Sequence, residues 1–273
     1  MNKQTIIDTF KAEGYEFDSR IINKNGVEKM AYTFRKSGSS IAPTFYLDDE
    51  AWGNLTDAEA IETIRYHIDN VPNAYRDIDS IKDFEAIKDK LTVIVNRIFA
   101  DNIVSRPILN FYKGVVVKID DNSSIKVTKD ILNAWGVSED ELFEIAENNS
   151  IDMFNVKTLA DKFREMGYPS QIIEGMECAP MYIVTNKSNI NGAAFVCCKK
   201  YLKNLFNTFG KYFLLPSSIH ECIIVPLSKM PDASIEDMNE MVKQISNTEV
   251  EPEEVLDYQA YFFNGRNLVD RVD

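Results

Sequence analysis

Ser217-Ser218-Ile219-His220-Glu221-Cys222 gathers most of the side chains in this chain that can move a proton or attack a carbonyl. His220 beside two serines sets a base next to a nucleophile, the chemistry of a small hydrolase. If residues 219–225 form a strand, His220 and Cys222 point one way, while Glu221 points the other with Ile219, Ile223 and Val225. A carboxyl in such apolar company has its ionisation opposed by desolvation, as functional carboxylates often do. Ser217, Ser218, His220 and Glu221 are therefore the catalytic candidates. The plainer alternative is a turn at Pro216-Ser217-Ser218, with Glu221 at a strand end pairing with a lysine or capping an amide.

A second polar stretch, Thr185-Asn186-Lys187-Ser188-Asn189-Ile190-Asn191-Gly192, is rich in donors and acceptors. Asn186, Lys187, Asn189 and Asn191 can bind a small polar ligand or a partner's backbone, or simply close a hydrogen-bonded turn in which Asn and Gly take positive φ. Cys178, Cys197, Cys198 and Cys222 with His220 are the one conceivable metal set. Adjacent cysteines on a strand face opposite ways and no CxxC pair is present, so no metal site is expected. His67, the other histidine, reads as a surface residue on a helix. Glycine-rich phosphate loops, a dinucleotide fingerprint, HExxH and GxSxG are all missing, and nothing calls for a cofactor.

Helices must position these groups, and several declare themselves. Thr56-Asp57-Ala58-Glu59 and Ser138-Glu139-Asp140-Glu141 read as capping boxes. Phe84, Ile87, Leu91, Ile94 and Ile98 form a long stripe at helical spacing, after Ser80 and Asp83. Leu159, Phe163 and Met166 precede Gly167; Leu202, Leu205, Phe206 and Phe209 precede Gly210; Ser234 opens a helix through Ile245. These stripes read as core-facing. Strands are shorter. Asn23-Lys24-Asn25-Gly26 is a hairpin turn before alternating Met30, Tyr32 and Phe34. Residues 44–47, 111–119 and 124–127 follow, the last two joined through Asp120-Asp121-Asn122. The final third reads as strands at 181–185, 193–197, 212–215 and 219–225 with helices at 199–209 and 235–246, in the order β-β-α-β-β-α. Short strands joined by tight turns imply an α+β fold of mainly antiparallel sheets with helices on one face. A soft boundary near residue 100 divides an N-terminal region, 1–100, from a C-terminal one, 101–273. The acidic cluster Glu249, Glu251, Glu253, Glu254 and Asp257 reads as a solvated turn around Pro252.

Several strings carry a resemblance. Met181-Tyr182-Ile183-Val184-Thr185-Asn186, Ile190-Asn191-Gly192-Ala193-Ala194, Leu214-Leu215-Pro216-Ser217-Ser218-Ile219-His220-Glu221 and Pro252-Glu253-Glu254-Val255-Leu256 occur in order, with Ala42-Pro43-Thr44-Phe45-Tyr46-Leu47 and Trp135-Gly136-Val137 upstream. On these the chain resembles an uncharacterised domain-of-unknown-function family of gut Firmicutes, over most of its length. The resemblance implies a bacterial cytoplasmic protein, borne in some cases by a mobile element, and transfers no catalytic residue.

Bulk properties narrow the field. With 273 residues, 45% of them apolar, the chain can bury a substantial core. Residues 1–8 carry no apolar h-region and no run approaches the length of a membrane span, so neither a signal peptide nor membrane insertion is expected. Four cysteines suit reduced thiols in a cytoplasmic protein. The net charge of −13 is spread along the chain and repels phosphate backbones, so direct nucleic-acid binding is not expected. Lys199, Lys200, Lys203 and Lys211 form a basic patch in this acidic chain. The leading expectation is a non-enzymatic protein-binding or regulatory accessory protein. Its rivals are a small hydrolase or ligand-binding enzyme at Ser217, Ser218, His220 and Glu221, and an acidic nucleic-acid mimic that inhibits a nuclease.

Overall fold

The computed structural model describes residues 1–39, 42–70, 81–119 and 123–270. They form two compact units, Met1–Ile87 and Lys88–Asp273.

In the first unit, Asn2 caps α1 (Lys3–Ala12) by accepting from the Gln4 and Thr5 amides. A hairpin of β1 (Glu16–Lys24) and β2 (Val27–Arg35) follows, with β3 (Thr44–Phe45) beside β2. Its two turn residues, Asn25 and Gly26, have φ of 53° and 93°, the left-handed pair that a right-twisted two-residue hairpin requires. Then come α2 (Glu50–Gly53), α3 (Asp57–Asp69) and α4 (Phe84–Ile87). The expected box at Thr56 is present: Glu59 donates its amide to the threonine hydroxyl, and its carboxylate accepts the Thr56 amide. Ile6 and Phe10 of α1, and Ala60, Ile64 and Ile68 of α3, cover one face of the sheet against Tyr32, Phe34 and Phe45.

The second unit holds two antiparallel sheets. In the smaller, β6 (Phe111–Lys118) has β4 (Leu91–Asn96) on one edge, with β5 (Ser105–Ile108) and then β7 (Ser124–Lys126) along the other. The turn expected at 120–122 lies outside the described residues. After α5 (Lys129–Trp135), α6 (Glu139–Ser150) starts at Ser138, whose hydroxyl accepts the Glu141 amide. Then follow β8 (Phe154–Thr158), α7 (Leu159–Glu165), α8 (Ser170–Met176), β9 (Tyr182–Asn186), α9 (Lys199–Phe209), β10 (Tyr212–Leu215), β11 (Cys222–Pro226), α10 (Ile235–Thr248), β12 (Tyr261–Phe263) and β13 (Leu268–Val269). The larger sheet runs β13-β12-β10-β11-β9-β8. Tyr212, Leu214, Cys222 and Ile224 pack on Phe195 and α9, while Phe213, Leu215, Val225 and Phe262 pack on Ile235, Met238 and Val242 of α10. The α+β class holds, with helices on both faces of this sheet; that is why Tyr-Phe-Leu-Leu is buried without alternation.

Three expected elements differ. The stripe from Phe84 to Ile98 is not one helix: α4 ends at Ile87 and Leu91–Asn96 is β4. The spacing fits a helix, but Thr92-Val93-Ile94-Val95 is β-branched throughout and buried on both faces of a strand, where such side chains pack best. Residues 193–197 are a 3-10 turn (Gly192–Cys197) instead of a strand. A short apolar run has no period that separates the two when every residue is buried. Residues 219–221 precede β11, so His220 and Glu221 lie in a loop and do not occupy alternate faces of a strand.

Candidate functional site

Loops 186–192, 216–221 and 251–258 meet at the end of the larger sheet, and the notable polar residues of the sequence are there. Asn186, buried at the end of β9, folds its own loop: its Oδ1 accepts from the Ser188 hydroxyl (3.0 Å) and the Ile190 amide (3.2 Å), and its Nδ2 donates to the Ile190 carbonyl (2.6 Å). Asn189 and Asn191 supply φ of 55° and 58°. Lys157 donates to Oδ1 of Asn189. Lys187 is exposed. At Gly192 a Cβ would stand 2.5 Å from both the His220 carbonyl and the Thr185 hydroxyl, so only glycine lets these loops touch.

His220 joins all three loops. Its Nδ1 accepts the Asn191 amide at 3.1 Å, and its Nε2 lies 3.2 Å from Oε1 of Glu254. An Nδ1 that accepts leaves the ring proton on Nε2, aimed at that carboxylate. The His220 carbonyl accepts from the Thr185 hydroxyl at 2.9 Å, and its amide donates to Oγ of Ser218 at 3.0 Å. Ser217 and Ser218 are buried. The Leu256 amide donates to the Ser217 carbonyl and the Ile219 amide to the Glu254 carbonyl, at 3.2 and 2.8 Å. Glu221 pairs with Lys162 of α7 at 2.5 Å, the lysine partner of the plainer expectation.

The four catalytic candidates are thus neighbours in one loop. Among the described residues no serine hydroxyl bonds an imidazole nitrogen; Ser218 meets the His220 backbone instead. Sequence reasoning missed Glu254, 34 residues from its histidine, because the acidic cluster looked solvated. In fact Glu253 and Asp257 are buried, and Asp257 accepts the Tyr261 hydroxyl at 2.5 Å and the Tyr258 amide at 2.7 Å.

Cys197, Cys198 and Cys222 are buried in one core, where burial pushes the Cys197 and Cys222 thiols well up and the Cys198 thiol to about 12, making all three poor nucleophiles. A cleft beside the asparagine loop, lined by Thr92, Lys118, Ser124, Phe154, Asn186 and Asn191 among others, encloses about 90 Å³. Small-molecule sites run to roughly 300–1,000 Å³.

The α7–α8 hairpin lies next to this knot, tied to it by Lys162–Glu221. It buries only Ala160 and Ile173, while Met166, Tyr168 and Ile172 are 58%, 41% and 41% exposed. The expected core-facing stripe Leu159, Phe163, Met166 is therefore half on the surface: among the described elements α7 packs on the edge strand β8, on β9 and on α8.

The chain belongs to DUF5688, a family of unknown function. The match runs over residues 3–265, so both the hairpin unit and the knot fall inside the family. No curated protein and no solved structure matches the chain. Among the described residues no helix is long and apolar enough to cross a membrane, and no cluster of His, Cys, Asp and Glu has the makings of a metal site.

Proposed function

We propose that this protein acts by binding another protein and performs no catalysis of its own, with the α7–α8 hairpin as its contact surface. The observation that carries this reading is the exposure of Met166, Tyr168 and Ile172 together on one lightly packed helical pair. Exposed apolar groups that are close neighbours mark interaction surfaces, and methionine and tyrosine suit adaptable contacts. Phe163 backs the patch, its ring 4.7 Å from that of Tyr168. Glu174 and Glu177, exposed on the same hairpin, make no ion pair among the described residues, which suits a partner that brings basic side chains beside its apolar contact.

The hydrolase alternative finds less support, because both imidazole nitrogens of His220 are committed within the fold. The nucleic-acid mimic needs free carboxylates in regular array, whereas Glu221, Glu254 and Asp257 serve the loop knot. Four unpaired thiols support a cytoplasmic setting. An accessory role in a bacterium or one of its mobile elements accords with the resemblance noted above.

The test compares native mass spectra of the wild-type protein and a Met166→Ser/Tyr168→Ser/Ile172→Ser variant, each purified from its own host. Support is a protein partner at fixed stoichiometry on the wild type that the variant loses. Wild-type protein without a partner, or a partner retained by the variant, overturns the assignment.

A further inference from the structure

The first unit offers a different surface. β1 is nine residues long, pairs only with β2 among the described strands, and is exposed along most of its length. In an antiparallel hairpin the residues flanking a two-residue turn, here Lys24 and Val27, exchange hydrogen bonds. Alternation then turns the backbone of Asp18, Arg20 and Ile22 toward β2, and that of Phe17, Ser19, Ile21 and Asn23 outward to the open edge. The Thr33 hydroxyl reaching the Asp18 carbonyl agrees with this sense.

We infer that this edge pairs with the β1 edge of a second copy, antiparallel about a twofold axis at Ser19. In this register Ser19 faces Ser19, Phe17 faces Ile21, and outward amides meet outward carbonyls. On the solvent face Asp18 of each copy lies opposite Arg20 of the other. These are the charged side chains of β1 without a partner among the described residues: Glu16 pairs with Arg35, and Lys24 sits over the Tyr46 ring. Sliding to either neighbouring allowed register sets Arg20 against Arg20 or Asp18 against Asp18, so charge selects one alignment. On the core-facing side Ile21, 64% exposed, meets the half-buried Phe17 of the other copy and extends the apolar face. The two hairpins become one continuous sheet.

Sedimentation velocity on the full chain tests this over a concentration series reaching tens of micromolar. The wild type is expected to dimerise reversibly. Asp18→Arg and Arg20→Asp should each weaken association roughly ten-fold, and the double exchange D18R/R20D should restore it. Ser19→Pro should abolish dimerisation, and the Ser19 and Ile21 amides should gain exchange protection as concentration rises. Unchanged circular dichroism shows the variants folded. A wild type that stays monomeric throughout, or a dimer indifferent to both charge reversals, overturns the inference.

Discussion

Asn191 donates its backbone amide to Nδ1 of His220 across 29 residues of sequence, and this one bond decides which imidazole nitrogen carries the proton. With Nε2–H directed at Glu254, the ring bridges two loops and acts as a structural pin.

His220→Ala removes both bonds and leaves the Asn191 amide unpaired. Urea unfolding should show a loss of about 1–3 kcal/mol with the fold retained. A variant as stable as the wild type would show that the pin contributes nothing.

Gly192→Ala should be harsher. Its methyl group would meet backbone atoms, the His220 carbonyl at 2.5 Å and the Asn186 amide nitrogen at 2.7 Å, which cannot swing aside as a flexible side chain can. A cost of about 3 kcal/mol or more, read as a large drop in urea midpoint or as insoluble protein, is expected. Near wild-type stability would contradict the close approach of these loops.

Thiol labelling separates the four cysteines. Iodoacetamide near neutral pH should modify the exposed Cys178 and spare Cys197, Cys198 and Cys222, because burial both blocks access and raises these thiols. Intact-mass spectrometry should show one adduct in the folded protein and four in denaturant.

Alkaline pH should destabilise the protein. Burial raises the Tyr201 phenol to about 12 and those of Tyr212 and Tyr261 further, with the bond to Asp257 adding to the rise at Tyr261. The buried thiols move the same way. Groups raised in the folded state keep their protons while the unfolded chain loses them, so stability is intact below the unfolded values and falls as pH climbs beyond them. The decline should begin near the free thiol value of about 8.5 and steepen past about 10, by about 1.4 kcal/mol per pH unit for each group titrating. Ultraviolet titration should show these three of the 12 tyrosines ionising only as the protein unfolds.

Local chemistry was the legible part of this chain. Thr56 and Ser234 cap the helices that their spacing announces, and Asn25-Gly26 turns the hairpin that it spells. Helix spacing misled at Leu91 and Ile94, where β-branched neighbours and burial on both faces made a strand. Residues 193–197 carried no period at all, since every side chain there is buried. At the loop knot the sequence showed Ser218, His220 and Glu221 as neighbours. Their partners Asn191, Glu254 and Lys162 lie 29 to 59 residues away, fixed by strand order and by no local pattern. The exposure of Met166 was equally hidden, because a stripe records which residues share a face and not whether anything covers it.

The strand order of the larger sheet carries a consequence for how the protein is made. β11 lies between β9 and β10 although it is synthesised after both. A growing chain released as far as β10 therefore has two strands that cannot join each other, each holding open the place of a segment still inside the ribosome. The sheet closes only when Cys222–Pro226 emerges and slots between them. Until then those bare edges invite wrong pairing, so a pause in translation just before this segment should lower the yield of native protein more than the same pause after β13.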